Sequence, residues 1–71
     1  MSDTVRIEYM TVSDHGSVIT NWTTAQSGVE NNPQIYVPRA LQVKRSLSPN
    51  PSTSRVRIIS EQTNRIVDLF P

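Results

Sequence analysis

Few residues of this 71-residue chain could carry acid–base or nucleophilic chemistry. The chain has one histidine, His15, and no cysteine. Acid–base and nucleophilic catalysis need such a group beside a nucleophile or a second titratable group. His15 instead stands between Asp14 and Gly16, in a segment typical of a turn. The six acidic residues are scattered singly, so no two have the spacing of a paired catalytic acid and base.

Phosphate, metal and covalent sites are not indicated by the sequence either. With only Gly16 and Gly28, neither common phosphate-binding loop can be built. One histidine without cysteine does not supply a zinc ligand set, and the spacing of a calcium loop is missing. The nucleophile-elbow pattern G-x-S-x-G is also absent. We therefore expect a protein that is not an enzyme and has no cofactor or metal.

Size and composition predict one small domain over residues 1–71, with residues 1–3 flexible. Hydrophobic residues make up 35% of the chain, which is too many for a disordered protein. No stretch approaches the roughly 20 apolar residues of a membrane-spanning helix, and no signal peptide is visible, so we expect a cytoplasmic protein. A domain this small buries a limited core, which favours a partner subunit or a bound target.

Charge is divided unevenly within a formal net charge of +1. Residues 1–33 carry one arginine against four acids, and residues 34–71 carry six basic residues against two acids. Two solvated faces of opposite sign would explain this division, with Arg57 or Arg65 paired to Asp68 or Glu61. A surface for an anionic partner is the other explanation, and it makes nucleic-acid binding our alternative function. Its candidate contacts are Arg39, Lys44, Arg45, Arg55, Arg57 and Arg65.

The N-terminal third predicts a β-hairpin. In residues 5–12, Val5 and Ile7 alternate with Arg6 and Glu8, the period of a half-buried strand. Residues 13–16 form a turn by composition, and residues 17–25 predict the second strand. Residues 26–32 are polar and predict a connection.

The central segment predicts a helix over about residues 34–48. Asn32-Pro33 is a typical helix start, and an apolar stripe follows at Tyr36, Ala40, Val43 and Leu47, widened by Leu41. Pro38 conflicts with a helix that begins at Pro33, because it would lie inside that helix. The helix is therefore kinked there or begins at Pro38. A strand in residues 41–45 is the rival interpretation.

The C-terminal part predicts a loop over residues 48–54, strands over 55–61 and 65–70, and a turn at 62–64. If Thr63-Asn64 is a two-residue turn, Ile58 lies opposite Leu69 and Arg57 opposite Phe70. Both faces of this strand pair then carry apolar residues, so the pair is either central in the fold or presents one face to a partner. The predicted fold is α+β, a two-layer β-β-α-β-β domain with a four-stranded antiparallel sheet and one helix. A small all-β barrel is the alternative.

Three aromatic residues complete the candidate binding site. Trp22 is either a core residue or a hot spot for a protein partner, since tryptophan and arginine dominate interface energetics. Tyr36, at the start of the helix, has the same two roles open to it. Phe70 lies near the basic residues of the last two strands.

The chain resembles a loosely defined group of proteins in the order of its elements. A strand pair with Trp22, a helix, Arg55-Val56-Arg57-Ile58-Ile59 and a closing strand over residues 65–70 follow one another. This order is similar to short uncharacterised proteins encoded by bacteriophages and other mobile elements, over about residues 18–70. The resemblance implies an inhibitor or modulator that binds a host protein, and it assigns no functional residue. We expect a small non-enzymatic protein that acts by protein–protein contact. Its expected partner is either a host protein or a second copy of the chain, with which it would form a homodimer.

Overall fold

The computed structural model of the protein describes residues 3–13, 15–47 and 54–70. Within them the elements are β1 (Thr4–Val12), β2 (Val18–Glu30), α1 (Pro33–Leu47), β3 (Ser54–Ser60) and β4 (Ile66–Phe70). The strands form one antiparallel sheet in the order β2-β1-β3-β4, and the helix packs on one face of it. The predicted α+β fold class is confirmed, and the all-β alternative is wrong because residues 33–47 are helical.

The predicted N-terminal hairpin is confirmed at its turn. Gly16 has a φ of 84°, in the left-handed region that favours glycine. Its N–H donates to the carbonyl oxygen of Ser13 at 2.9 Å, and the Ser13 N–H donates to the carbonyl oxygen of Ser17 at 2.7 Å. Asp14 lies outside the described residues. This turn returns the chain so that β2 pairs with β1.

Strand β2 is longer than the sequence predicts. It runs to Glu30, so the connection predicted over residues 26–32 is wrong for residues 26–30 and is confined to residues 31–32. The 13 residues of β2 pair with the nine of β1, and the register shifts at four points. Each extra residue changes which face the following side chains occupy. The strand therefore shows no continuous alternation, and backbone pairing with β1 defines it instead.

Helix α1 begins at Pro33, as the Asn32-Pro33 pair predicts. The Oδ1 of Asn32 accepts a hydrogen bond from the Gln34 N–H at 3.0 Å, which caps the helix. The helix continues through Pro38, whose exposed ring faces solvent, so a start at Pro38 is wrong. The predicted apolar stripe is confirmed for Tyr36, Ala40 and Val43, which lie in or against the core. Leu47 is half-buried, and Leu41 is 37% exposed. No helix among the described residues is long and apolar enough to cross a membrane.

The core lies between α1 and the sheet. Alternation sends Val5 and Ile7 of β1 and Val56 and Ile58 of β3 to the helix side, where all four are fully buried. The core cluster comprises Val5, Ile7, Val29, Tyr36, Ala40, Val56 and Ile58.

The loop predicted over residues 48–54 lies outside the described residues except for Ser54, which begins β3.

The pairing of β3 with β4 differs from the sequence-based register. Arg57 lies opposite Leu69, not Phe70, so the pairs predicted from a two-residue turn are wrong. The turn is longer, because the Ser60 N–H donates to the Arg65 carbonyl oxygen at 2.9 Å. A turn two residues longer leaves the faces unchanged, but the register shift at Val67 reduces the slip to one residue, which exchanges the faces of the strand. Phe70 therefore lies on the helix side opposite Val56, and Leu69 lies on the other side.

Candidate functional site

The face of the sheet opposite α1, here called the helix-free face, carries most of the polar side chains that contact one another. Directly paired residues of neighbouring strands point to the same face. Glu8 of β1 pairs with Arg57 of β3, which pairs in turn with Leu69 of β4. The next pairs outward along β1 and β3 on this face are Arg6 with Ile59 and Met10 with Arg55.

Glu8 lies at the centre of this face between two guanidinium groups. The Nε of Arg57 donates to Glu8 Oε1 at 2.7 Å, and the Nε of Arg6 donates to Glu8 Oε2 at 3.2 Å. The Glu8 side chain is 10% exposed. Burial acts to raise the pKa of Glu8, but hydrogen bonds and charges from Arg57 and Arg6 outweigh it and hold that pKa below its usual value.

Both arginines make a second contact away from Glu8. The Cζ of Arg57 lies 4.1 Å from the centroid of the Trp22 ring, a cation–π contact. The Nη2 of Arg6 donates to Asn64 Oδ1 at 2.7 Å, in the turn between β3 and β4. Contacts therefore run without a break from β2 to that turn. We call these five residues the cross-sheet chain: Trp22, Arg57, Glu8, Arg6 and Asn64.

Strand β4 carries three large aliphatic side chains that are exposed to solvent. Ile66 is 58% exposed, Val67 41% and Leu69 51%. Leu69 and Ile66 pair with Arg57 and Ile59 of the helix-free face, and Val67 is the extra residue at a register shift between them. On its outer side β4 has no strand partner among the described residues. The three side chains thus line a free edge of the sheet.

Asp68 lies on the other face of β4, opposite Ile58. Its Oδ1 accepts a hydrogen bond from the Leu69 N–H at 2.9 Å. Its negative charge also affects Tyr36 of α1. Burial raises the pKa of Tyr36, and the charge of Asp68 raises that pKa further. Asp68 is the charged residue of β4, and the other four residues of this strand are apolar.

The aromatic candidates from the sequence lie in different parts of the fold. Trp22 is half-buried on the helix-free face under Arg57. Tyr36 is 4% exposed in the core, and Phe70 is half-buried against that core on the helix side. Among the three, Trp22 alone is on the face that α1 leaves open.

The basic candidates do not gather on one surface. Arg39 and Arg45 are exposed on α1, and Arg65 is exposed beside the turn before β4. Lys44 Nζ and Arg55 Nη1 each donate to the carbonyl oxygen of Ser54 at 3.0 Å. Burial, and then the charge of Arg55, lowers the pKa of Lys44. Arg57 pairs with Glu8, not with the Asp68 or Glu61 that the sequence suggested.

Sequence reasoning missed several residues of this surface. Arg6, Glu8 and Asn64 were not candidates, because their contacts depend on β1 lying beside β3. The exposed positions of Ile66, Val67 and Leu69 depend on the β3–β4 register, and the register predicted from the sequence is wrong. The alternation of Arg6 and Glu8 was the available signal, since it places both side chains on one face.

His15 is exposed in its turn. Within the described ranges, no group of three or more His, Cys, Asp or Glu residues is arranged to hold a metal ion. The chain matches no protein-family model, no curated protein and no solved structure. Its role must therefore be inferred from its own residues.

Proposed function

We propose that this chain is a small non-enzymatic binding protein that acts by protein–protein contact and presents strand β4 to its partner. The observation that carries the proposal is the row of exposed aliphatic side chains on a free edge, Ile66, Val67 and Leu69. A free edge offers unpaired N–H and C=O groups to another strand. A strand added to β4 extends the sheet and covers these side chains at the same time.

The cross-sheet chain supports this role by fixing β4 in place. Arg6 binds Asn64 at one end of the β3–β4 turn, and Arg57 lies directly beside Leu69. Glu8 holds both arginines. Because an ordered edge loses less conformational entropy on binding, such preorganisation favours association.

The placement of charge favours a protein partner over nucleic acid. Phosphate backbones are bound by several cations on one surface. Here Arg6 and Arg57 share the carboxylate of Glu8, and Arg39 and Arg45 lie on α1, on the opposite side of the sheet. A gel-shift series across salt concentrations separates the two functions, since nucleic-acid binding would weaken steeply with added salt.

Two classes of protein partner are consistent with the sequence. The resemblance to phage-encoded proteins implies a host protein, which the chain would inhibit or modulate. The small size of the domain implies a second copy. In both cases the partner covers the same strand, so the strand itself can be tested first.

Leu69→Lys tests the proposal, with Val18→Lys as its matched control. Both side chains are about half exposed, Leu69 at 51% and Val18 at 54%, but they lie on opposite edges of the sheet. We expect Leu69→Lys to abolish association with a stoichiometric partner, whether self or captured from a lysate of the source organism. We expect Val18→Lys to leave it intact, with both variants folded by circular dichroism. Equal behaviour of the two variants contradicts the proposal.

A further inference from the structure

One charged residue interrupts the apolar edge of the sheet. Asp68 is the central residue of β4, and the residues on both sides of it are apolar. Its side chain lies on the helix side, on the face of the fully buried Ile58. Inward-facing charges on edge strands limit strand addition in natural proteins, because an added strand would enclose the charge. Asp68 is therefore placed to control which strands can pair with β4.

The carboxylate of Asp68 has little to compensate its charge. Its Oδ1 accepts the hydrogen bond from the Leu69 N–H. Among the described residues, its Oδ2 accepts no hydrogen bond, and no lysine or arginine lies within ion-pair distance of either oxygen. The side chain is half-buried, so water still solvates it in the free chain. A strand added to β4 would remove part of that water, and an enclosed carboxylate without a cation is costly.

We infer that the strand which adds to β4 belongs to a different protein and carries a lysine or arginine directly opposite Asp68, with an apolar residue on each side of that cation. The inference rests on the proposed function, because it states the chemistry of the partner at the same edge. Residues directly opposite in neighbouring strands point to the same face, with Cβ atoms about 4.5–5.5 Å apart. The cation thus meets the Asp68 carboxylate on the helix side. Its apolar neighbours alternate to the other face, where Leu69 lies.

The charge of Asp68 disfavours a second copy of the chain as the occupant of this edge. Within β4, the residues other than Asp68 are all apolar. Any register that pairs two β4 strands with each other therefore places Asp68 opposite another Asp68 or opposite an apolar residue. The first arrangement brings two carboxylates together, and the second encloses each of them without a cation. Of the two classes of partner considered above, a different protein is the one that can supply the missing charge.

Synthetic peptides test this charge preference. The probe is a fluorescently labelled peptide of about nine residues, the length of an ordinary strand, in which valine alternates with threonine and the central threonine is replaced by lysine. Matched peptides carry glutamate or threonine at the centre. Fluorescence anisotropy measures their binding to the chain. We expect the lysine peptide to bind about tenfold more tightly than the glutamate peptide, because one gains an opposite charge and the other meets a like charge.

Exchange of the charge on the chain should reverse this order. We expect Asp68→Lys to prefer the glutamate peptide, and Asp68→Asn, which keeps the shape of the side chain, to bind the charged peptides equally. Glu30→Lys is the matched control, because it changes the net charge by the same amount at the exposed end of β2, on the other edge. It should keep the preference for lysine. Circular dichroism checks that each variant is folded.

Sedimentation equilibrium provides a measurement that needs no probe. We expect the unmodified chain to be monomeric and Asp68→Val to self-associate, because the edge then carries no charge. Glu30→Val should stay monomeric. An unmodified chain that forms a dimer which Leu69→Lys dissociates overturns the inference, and so does an Asp68→Val chain that stays monomeric.

The peptide experiment also separates the inference from the proposed function. Equal binding of the three peptides, or a preference for lysine that Asp68→Lys does not reverse, overturns the inference. If Leu69→Lys then weakens all three peptides and Val18→Lys weakens none, the proposed function stands without it. If no peptide binds, the inference fails, and the comparison of Leu69→Lys with Val18→Lys against a lysate partner decides the proposed function separately.

Discussion

The guanidinium of Arg57 lies over the indole of Trp22, with its Cζ 4.1 Å from the ring centroid. The same guanidinium donates from Nε to Glu8 Oε1 at 2.7 Å. One side chain thus makes a cation–π contact with β2 and an ion pair with β1 while its backbone belongs to β3. Three strands are tied together on the face that α1 does not cover.

Replacement of Arg57 should therefore affect stability and the environment of Trp22 together. We expect Arg57→Ala to lower the free energy of unfolding by about 1–3 kcal/mol, because it removes a charged hydrogen bond from a carboxylate that is largely buried. Trp22 is the only tryptophan, so its fluorescence reports loss of the covering guanidinium, and we expect emission at longer wavelength. Urea unfolding and emission spectra measure the two effects.

Two further variants serve as comparisons for Arg57→Ala. Arg57→Lys keeps the charge but loses the planar group that stacks, so its effect should be intermediate. Arg45→Ala removes an exposed arginine of α1 and should change stability by less than about 0.5 kcal/mol. Unchanged tryptophan emission in Arg57→Ala would contradict the contact with Trp22.

Glu8 should make stability depend on pH in the acid range. Its pKa is lowered in the folded chain from an ordinary value of 4.5. A lowered carboxyl pKa stabilises the folded state above that ordinary value, and the stabilisation is lost as pH falls through the folded value. We expect Glu8→Gln to be clearly less stable than the unmodified chain at neutral pH, since Arg6 and Arg57 then lack their shared counter-ion.

The informative quantity is the difference in the free energy of unfolding between the unmodified chain and Glu8→Gln. Subtracting one free energy of unfolding from the other cancels the contributions that the two proteins share. We expect the difference to shrink as pH falls below 4.5. A difference that stays constant between neutral and strongly acid pH would show that the charge of Glu8 does not stabilise the fold.

Local patterns in the sequence predict most of the fold. The alternation of Val5, Arg6 and Ile7 marks β1 because one face is buried and the other is not. Asn32-Pro33 marks the helix start because capping and the fixed φ of proline are local properties. Asparagine is able to occupy the left-handed region of a turn, and Asn64 has a φ of 58°.

Longer-range features could not be read in this way. The pairing of Glu8 with Arg57 depends on β1 lying beside β3, and residues distant in the chain determine that order. The end of β2 at Glu30 follows from backbone pairing across bulges, which leaves no regular pattern in side chains. The exposed position of Leu69 follows from the register shift at Val67, which reverses the faces of the residues after it. Trp22 and Arg57 were candidates by type, but their mutual contact was not predictable.

Pro38 offers a stabilising substitution. Proline has no N–H to donate to the carbonyl of Gln34, four residues earlier, and α1 continues through it regardless. We expect Pro38→Ala to raise the free energy of unfolding by about 1–3 kcal/mol, because it restores that hydrogen bond and a better helix former. Pro33→Ala is the matched control: proline is already suited to the first helical position, so no gain is expected there. Thermal unfolding that ranks the two variants the other way would contradict this account of the helix.

Asn64 combines a backbone requirement with a side-chain contact, and two variants separate them. Its φ of 58° is costly for alanine but not for glycine. Its Oδ1 accepts from Arg6 Nη2 at 2.7 Å, a bond that both variants remove. We expect Asn64→Ala to be less stable than Asn64→Gly by about 1–2 kcal/mol, the cost of the left-handed conformation. Repeating both substitutions in an Arg6→Ala background should leave that gap unchanged, because the gap belongs to the backbone. A gap that closes there would contradict a backbone origin of the difference, and equal stability of the two variants in both backgrounds would refute the left-handed turn.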